Sequence, residues 1–249
     1  QRSNLLKPKF WFMIRDILRF NKETRAELAA NAVSQSETLG QYLARKNYGD
    51  YFRRFYIIPM GAAIWSASED MMMDFPLYFF LRFFNNHGML SVDDRPQWRV
   101  ISNGSQSYVR RIREDLNPQN IHLSTPVEKV ERHSDHVVVH SQRGDETYSQ
   151  VIFACHSDQA LSMLAEPTAA EQSVLSAIPY QENDVVLHTD ASVLPQHKKA
   201  WAAWNYHIGQ NRQDTVAVTY YMNRLQNFDD CPVDFCVTLN KSADIDESK

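Results

Sequence analysis

The chain reads first as helical, then as strand-rich. Phe10, Met13, Ile14, Ile17 and Leu18 fall on one stripe at helical spacing. A polar stretch from Asn21 to Glu27 leads into an alanine-rich helix ending near Val33. The loop Ser34 to Thr38 can cap a following helix with Leu39, Tyr42 and Leu43 on its apolar side. Tyr51 to Trp65 is dense in aromatic and apolar residues, and Pro59 and Gly61 are expected to break it. Asp74-Phe75-Pro76 predicts another helix start. Its apolar side is Leu77, Phe80, Leu81 and Phe84, and Asn85-Asn86-His87-Gly88 is its stop.

The period changes after Arg95-Pro96. Short strands are predicted at 98–101, 121–123, 125–130 and 136–140, with a helix striped by Tyr108, Ile112 and Leu116. Val151 to Cys155 is a continuous apolar run, the pattern of a strand buried on both faces. Short helices are expected over 158–164 and 168–177. Strands at 184–189, 200–207, 215–222 and 235–240 predict an antiparallel meander. Asp244 to Lys249 resembles the start of a helix.

Composition narrows the function classes. The chain has 249 residues, 26 basic and 30 acidic side chains, and a net charge of −4, which argues against a nucleic-acid footprint. Thirteen Phe, 11 Tyr and 5 Trp argue against disorder. The longest apolar stretch, 55–65, falls short of the roughly 20 residues that a spanning helix needs. No secretory leader is read at the start, and a first residue of Gln rather than Met suggests a fragment or a processed chain. Three cysteines in an odd set suggest reduced thiols and a cytoplasmic protein. Cys231 and Cys236 could be a zinc half-site, but no second pair follows, so no metal is expected.

Glycine is the most informative count. There are seven, and no two lie nearer than Gly40 and Gly49. Neither the G-x-G-x-x-G fingerprint nor the G-x-x-x-x-G-K loop can be written with them. A pyrophosphate cradle of those kinds is therefore not encoded in these residues.

Candidate chemistry is sparse. No catalytic triad stands out, and Asn103-Gly104-Ser105 lacks the second glycine of a nucleophile elbow. His133 and His136 fit an exposed hairpin tip. His156 follows the 151–155 run, where open sheets place ligand contacts, although a structural role is the commoner outcome. Trp204 and Tyr206 share one face of a predicted strand. They suit a pocket wall, with ordinary sheet core as the commoner outcome on spacing alone.

Several segments resemble bacterial flavin-containing amine-oxidase-like proteins, described as NAD/FAD-binding. They are 55–66, 74–88, 98–109, 178–183 and 200–207, and they span nearly the whole chain. The resemblance is to the middle of such proteins and implies an α+β (α/β) fold like that of monoamine oxidase and phytoene desaturase. An incomplete FAD domain would accompany a substrate domain of helices and antiparallel sheet. By similarity, 1–97 is the helical part of the substrate domain, 98–158 the central FAD-domain portion and 159–249 the substrate-domain sheet. The implied cofactor is FAD, held in the full-length protein, and the implied reaction is hydride transfer from an amine or an apolar, lipid-like substrate. Val127, Ala154 and Cys155 are carried over as cofactor contacts. Trp65, Trp204 and Tyr206 are candidate substrate contacts. Asn103 stands where the family has glycine, and Asn tolerates positive φ best among the substitutes. No general base is identified. A non-catalytic binding module and a lipid- or carotenoid-desaturase-like protein stay open as alternatives.

Overall fold

Pro8 pre-sets the first turn of helix α1, Pro8–Ala29. The structure, a computed structural model, describes residues 2–93, 96–180, 182–208, 216–228 and 230–249. α1 runs through the polar stretch that the sequence suggested as a break. Asn21 and Thr24 are buried, and the Thr24 hydroxyl donates to the Phe20 carbonyl at 2.7 Å. A hydroxyl satisfied by its own helix need not interrupt it. α2, Leu39–Arg45, opens on a capping box between Thr38 and Gln41.

Pro59 does not break its segment either. α3, Asp50–Phe52, passes into a π-helical turn, Arg53–Ile57, and then into α4, Ile58–Trp65. The Ile58 N–H reaches back to the Arg53 carbonyl, so the turn is one residue wider than α-helical. That extra residue relieves the missing N–H and the ring clash of Pro59, which sits in the first turn of α4. α5, Glu69–Met73, is capped by Ser68. α6, Leu77–Asn86, buries Leu77, Phe80, Leu81 and Phe84 as its periodicity predicted.

Residues 105–182 form a separate compact unit. It holds α7, Gln106–Glu114, and a three-stranded antiparallel sheet of β1, Val127–Arg132, β2, Val137–Ser141, and β3, Gly144–Tyr148. α8, Ser157–Met163, and α9, Ala169–Ser176, close it. Arg132 of β1 is bidentate to Glu171 of α9, and Ala165 N–H donates to the Val130 carbonyl at 3.0 Å. These ties keep α8 and α9 in this unit, whereas the sequence grouped 159–182 with the later sheet. The runs 98–101, 121–123 and 151–155 are not strands. Each lacks a ladder partner among the described residues, and Ile152 is 91% exposed rather than buried on both faces.

The other unit joins Gln1–Gly104 to Asn183–Lys249. Its sheet contains β4, Val185–His188, β5, Trp204–His207, β6, Ala217–Tyr221, and β7, Cys236–Leu239. Thr215 of the expected third strand lies outside the described residues. α10, Met222–Gln226, follows β6 directly. All pairings are antiparallel, but the order is β4-β7-β6-β5, not a simple meander. The long connection over 189–203 lets β5 skip β4, giving a Greek-key-like order. The chain end does not start a helix. Thr189 N–H and hydroxyl both donate to the Lys249 carbonyl, and Asp246 N–H donates to Asp190. Helices and sheet share one core, in which Phe20, Leu43, Phe52, Met72 and Phe80 join Val216 and Val218.

A buried polar chain crosses the four strands. The Asp190 N–H donates to His188 Nδ1 at 3.1 Å, so Nε2 carries the ring proton and donates to the Thr238 hydroxyl at 2.8 Å. Thr238 and Thr219 share a hydroxyl–hydroxyl hydrogen bond at 2.9 Å, and Thr219 shares one with His207 Nε2 at 2.9 Å. Burial lowers the pKa of His188 and of His207. Both folded-state values lie below the ordinary 6.5, so the unfolded chain takes up protons first as pH falls. The stability these neutral rings contribute is complete above pH 6.5 and is lost as pH falls below it. The urea midpoint is expected to drop between pH 7.5 and pH 5.5, above the range where carboxylates titrate. Equal midpoints would show that both rings titrate normally. Thr238→Val is expected to cost about 1–3 kcal/mol at pH 7.5, because it orphans the His188 donor.

Candidate functional site

Within the larger unit, a solvent-open cavity of about 1210 Å³ is built from four pieces of chain. The first wall is the π-turn and α4. Tyr56, Pro59, Met60, Ala63 and Ile64 recur at helical spacing and face it. The opposite face of α4 carries Gly61. A Cβ there would lie 2.5 Å from Met72 Cε and 3.0 Å from Phe80 Cε2, so α4 approaches α5 and α6 more closely than a side chain would allow.

The second wall is β5. Trp204 and Tyr206 line the cavity, with Ala203 just ahead of the strand. Trp204 is half-exposed and meets Tyr220 edge-on at 5.2 Å. Asn205, buried, turns its amide to the carbonyls of Ala202 and Thr219. His207 joins the polar chain. The strand period thus sends aromatics to the cavity and hydrogen-bonding groups into the sheet. Burial, with Glu69 adding a smaller effect, raises the pKa of Tyr206.

The third piece is the end of α6 and the arm after it. Phe83 and His87 line the cavity, followed by Gly88, Met89 and the run from Trp98 to Val100. His87 Nδ1 lies 2.8 Å from the Phe83 carbonyl. That contact makes Nδ1 the donor and leaves Nε2 as the acceptor in the neutral ring. The ring stacks between Phe83 at 4.0 Å and Trp98 at 5.9 Å. Gly88 has φ +65°, and a Cβ on it would lie 2.4 Å from Pro96 Cδ. The fourth piece is α10, with Arg224 and Leu225. Arg224 Nη1 donates to the Trp201 carbonyl at 2.6 Å.

Of the residues singled out from the sequence, the structure brings Trp204 and Tyr206 together on this cavity. Trp65 is not on its lining. It turns toward Phe75 and Phe83, at 4.6 and 4.9 Å. Val127, Ala154 and Cys155 belong to the 105–182 unit, and all three are exposed. His156 stacks on Tyr180 at 4.2 Å, and the Tyr180 hydroxyl accepts from Ser157 N–H, a local structural role. His133 stacks on His136 at the hairpin. No His, Cys, Asp and Glu group among the described residues could hold a metal. Sequence reasoning passed over Tyr56, His87, Arg99 and Arg224. Arg99 and His87 lay inside the quoted segments, but no spacing rule joins four separate pieces of chain.

The sequence matches the flavin containing amine oxidoreductase family over residues 10–228. The chain belongs to that family. A candidate protoporphyrinogen oxidase from Exiguobacterium sp. 255-15 has a similar fold, with TM-score 0.53 and 15% identity over 88% of this chain. The chain spans about half of that protein, 49% of its length. No curated protein matches it. No helix among the described residues is long and apolar enough to cross a membrane.

The family implies a flavin, and the glycines test whether these residues could cradle one. Gly40 and Gly61 owe their missing Cβ to Met73, Met72 and Phe80, and Gly88 to Pro96. Gly104 and Gly144 face open space, and Gly209 lies outside the described residues. Asn103 adopts positive φ, at 65°, in the turn before α7. Gly40, Gly61 and Gly88 are thus explained by protein packing alone. The glycine-rich fingerprint of a dinucleotide cradle is not among these residues.

Gly88→Ala is expected to destabilise the chain by about 2 kcal/mol, from a left-handed backbone and the Pro96 ring together. Urea unfolding checks this. An unchanged midpoint would show that the turn accepts a side chain and that the arm moves freely.

Proposed function

We propose that this chain supplies the substrate-binding side of an FAD-dependent oxidoreductase that oxidises a C–N or C–C bond of an apolar substrate. The aromatic-walled cavity in a member of a flavin oxidoreductase family carries the reading. Its volume exceeds the roughly 300–1,000 Å³ of ordinary ligand pockets. That favours a long-chain or fused-ring donor over a small amine.

When bound, FAD supplies the hydride acceptor. The chain's own residues do the rest of the work proposed here. Trp204 and Tyr206 offer flat faces that orient the donor and exclude water. Met60 and Ile64 line the apolar run opposite, Met60 with an adaptable side chain. In the 98–158 portion, the backbone at Val127, and that at Ala154 and Cys155, is proposed to touch the cofactor. With no phosphate cradle of its own, the isolated chain is expected to take up FAD weakly or not at all. Stoichiometric flavin absorbance in the purified 249-residue chain would contradict this.

The function is tested by anaerobic bleaching of the flavin-loaded enzyme. Long-chain or fused-ring donors are expected to bleach the flavin and benzylamine is not. Bleaching by benzylamine alone would overturn the apolar-substrate reading. Trp204→Ala is expected to slow bleaching about tenfold, equivalent to about 1.4 kcal/mol of barrier. The melting temperature should fall by only a few degrees, because the side chain is half-exposed. Unchanged kinetics with a large loss of stability would assign Trp204 to packing.

A further inference from the structure

The sign of the charge on the cavity selects among apolar substrates. Acids outnumber bases in this chain, 30 to 26, yet the two formally charged residues on the described lining are Arg99 and Arg224. Among the described residues, no carboxylate lines it. Both arginines are exposed, whereas Ala63 on α4 is buried, so the cations sit at the solvent side and the apolar surface lies deeper. Glu69 is the acidic group whose field reaches the wall, at Tyr206, and it is not itself a lining residue.

The two cations are available. Arg99 has no ion pair among the described residues. Arg224 gives one N–H to the Trp201 carbonyl, which orients its guanidinium without neutralising it. The remaining donors keep the planar fork that matches a carboxylate. His87, on the same wall, adds no negative charge to it.

We infer that the substrate of this cavity is an apolar molecule ending in a carboxylate. Its head meets Arg99 and Arg224, and its body lies along α4 and β5. The inference rests on the proposed substrate site and adds the charge of the substrate. An ammonium in the same place would face two guanidiniums and, on the described lining, no acid.

The test titrates the 249-residue chain by tryptophan fluorescence, since Trp98 and Trp204 both line the cavity. The probes are dodecanoate, dodecanol and dodecylamine at pH 7.5 and low salt, below their micelle concentrations. Dodecanoate is expected to bind about tenfold tighter than dodecanol, and dodecylamine weaker than dodecanol. Added salt should erode the carboxylate advantage. Arg99→Gln, which breaks no ion pair among the described residues, is expected to abolish most of that advantage and leave dodecanol binding unchanged. Pyrenebutyrate, run beside dodecanoate, distinguishes a flat ring system from an acyl chain as the carrier of the carboxylate.

Equal or tighter binding of dodecylamine would overturn the inference. So would equal weakening of all three probes by Arg99→Gln. In both cases dodecanol binding would leave the apolar site standing. Failure of every probe, dodecanol included, would remove the proposed site itself and the inference with it.

Discussion

The cavity depends on how closely α4 lies against its neighbours. At Gly61 there is room for a hydrogen and not for a methyl group without movement of Met72 or Phe80. Both partners are fully buried, so the contact sets the depth of α4 in the unit. The π-turn before it sets its phase. One extra residue in that turn accommodates Pro59 and rotates the following face, so that Met60, Ala63 and Ile64 look outward. The wall of the site is thus the reverse side of a packing constraint in the core.

The sheet supplies the opposite wall by a similar division. β5 carries Asn205 and His207 on one side, bound to backbone and to Thr219. These bonds hold the strand in register with β6 and point Trp204 and Tyr206 the other way. The chain runs from His188, whose tautomer the Asp190 N–H sets, through Thr238 and Thr219 to His207. A satisfied buried network of this kind favours a single register, because a slip would orphan several donors at once.

The 105–182 unit shows a different relation between sequence and structure. Its hairpins and its helices were legible, since alternation and capping are local. The run at 151–155 was legible as apolar but not as a strand. Apolar residues make a strand only where neighbouring strands supply hydrogen bonds, and here no described residue does so. The same residues carry the cofactor contacts implied by family resemblance, so the resemblance and the local structure describe different things.

Local pattern by itself determined much. Helical stripes placed α6, a Thr–Gln pair started α2, and period-two alternation put Trp204 beside Tyr206. Glycine spacing excluded a dinucleotide cradle. What the sequence did not determine was the order of the sheet, the path through Pro59 and the composition of the cavity. Strand order turned on a connection with no pattern of its own, and the π-turn on a balance between a proline and the helix around it. Tyr56, His87, Arg99 and Arg224 line one cavity only because three separate pieces of chain pack together. Side-chain periodicity reports which face is apolar, because that follows from backbone geometry within a few residues. It carries no information about which faces, far apart in the chain, come to share one space.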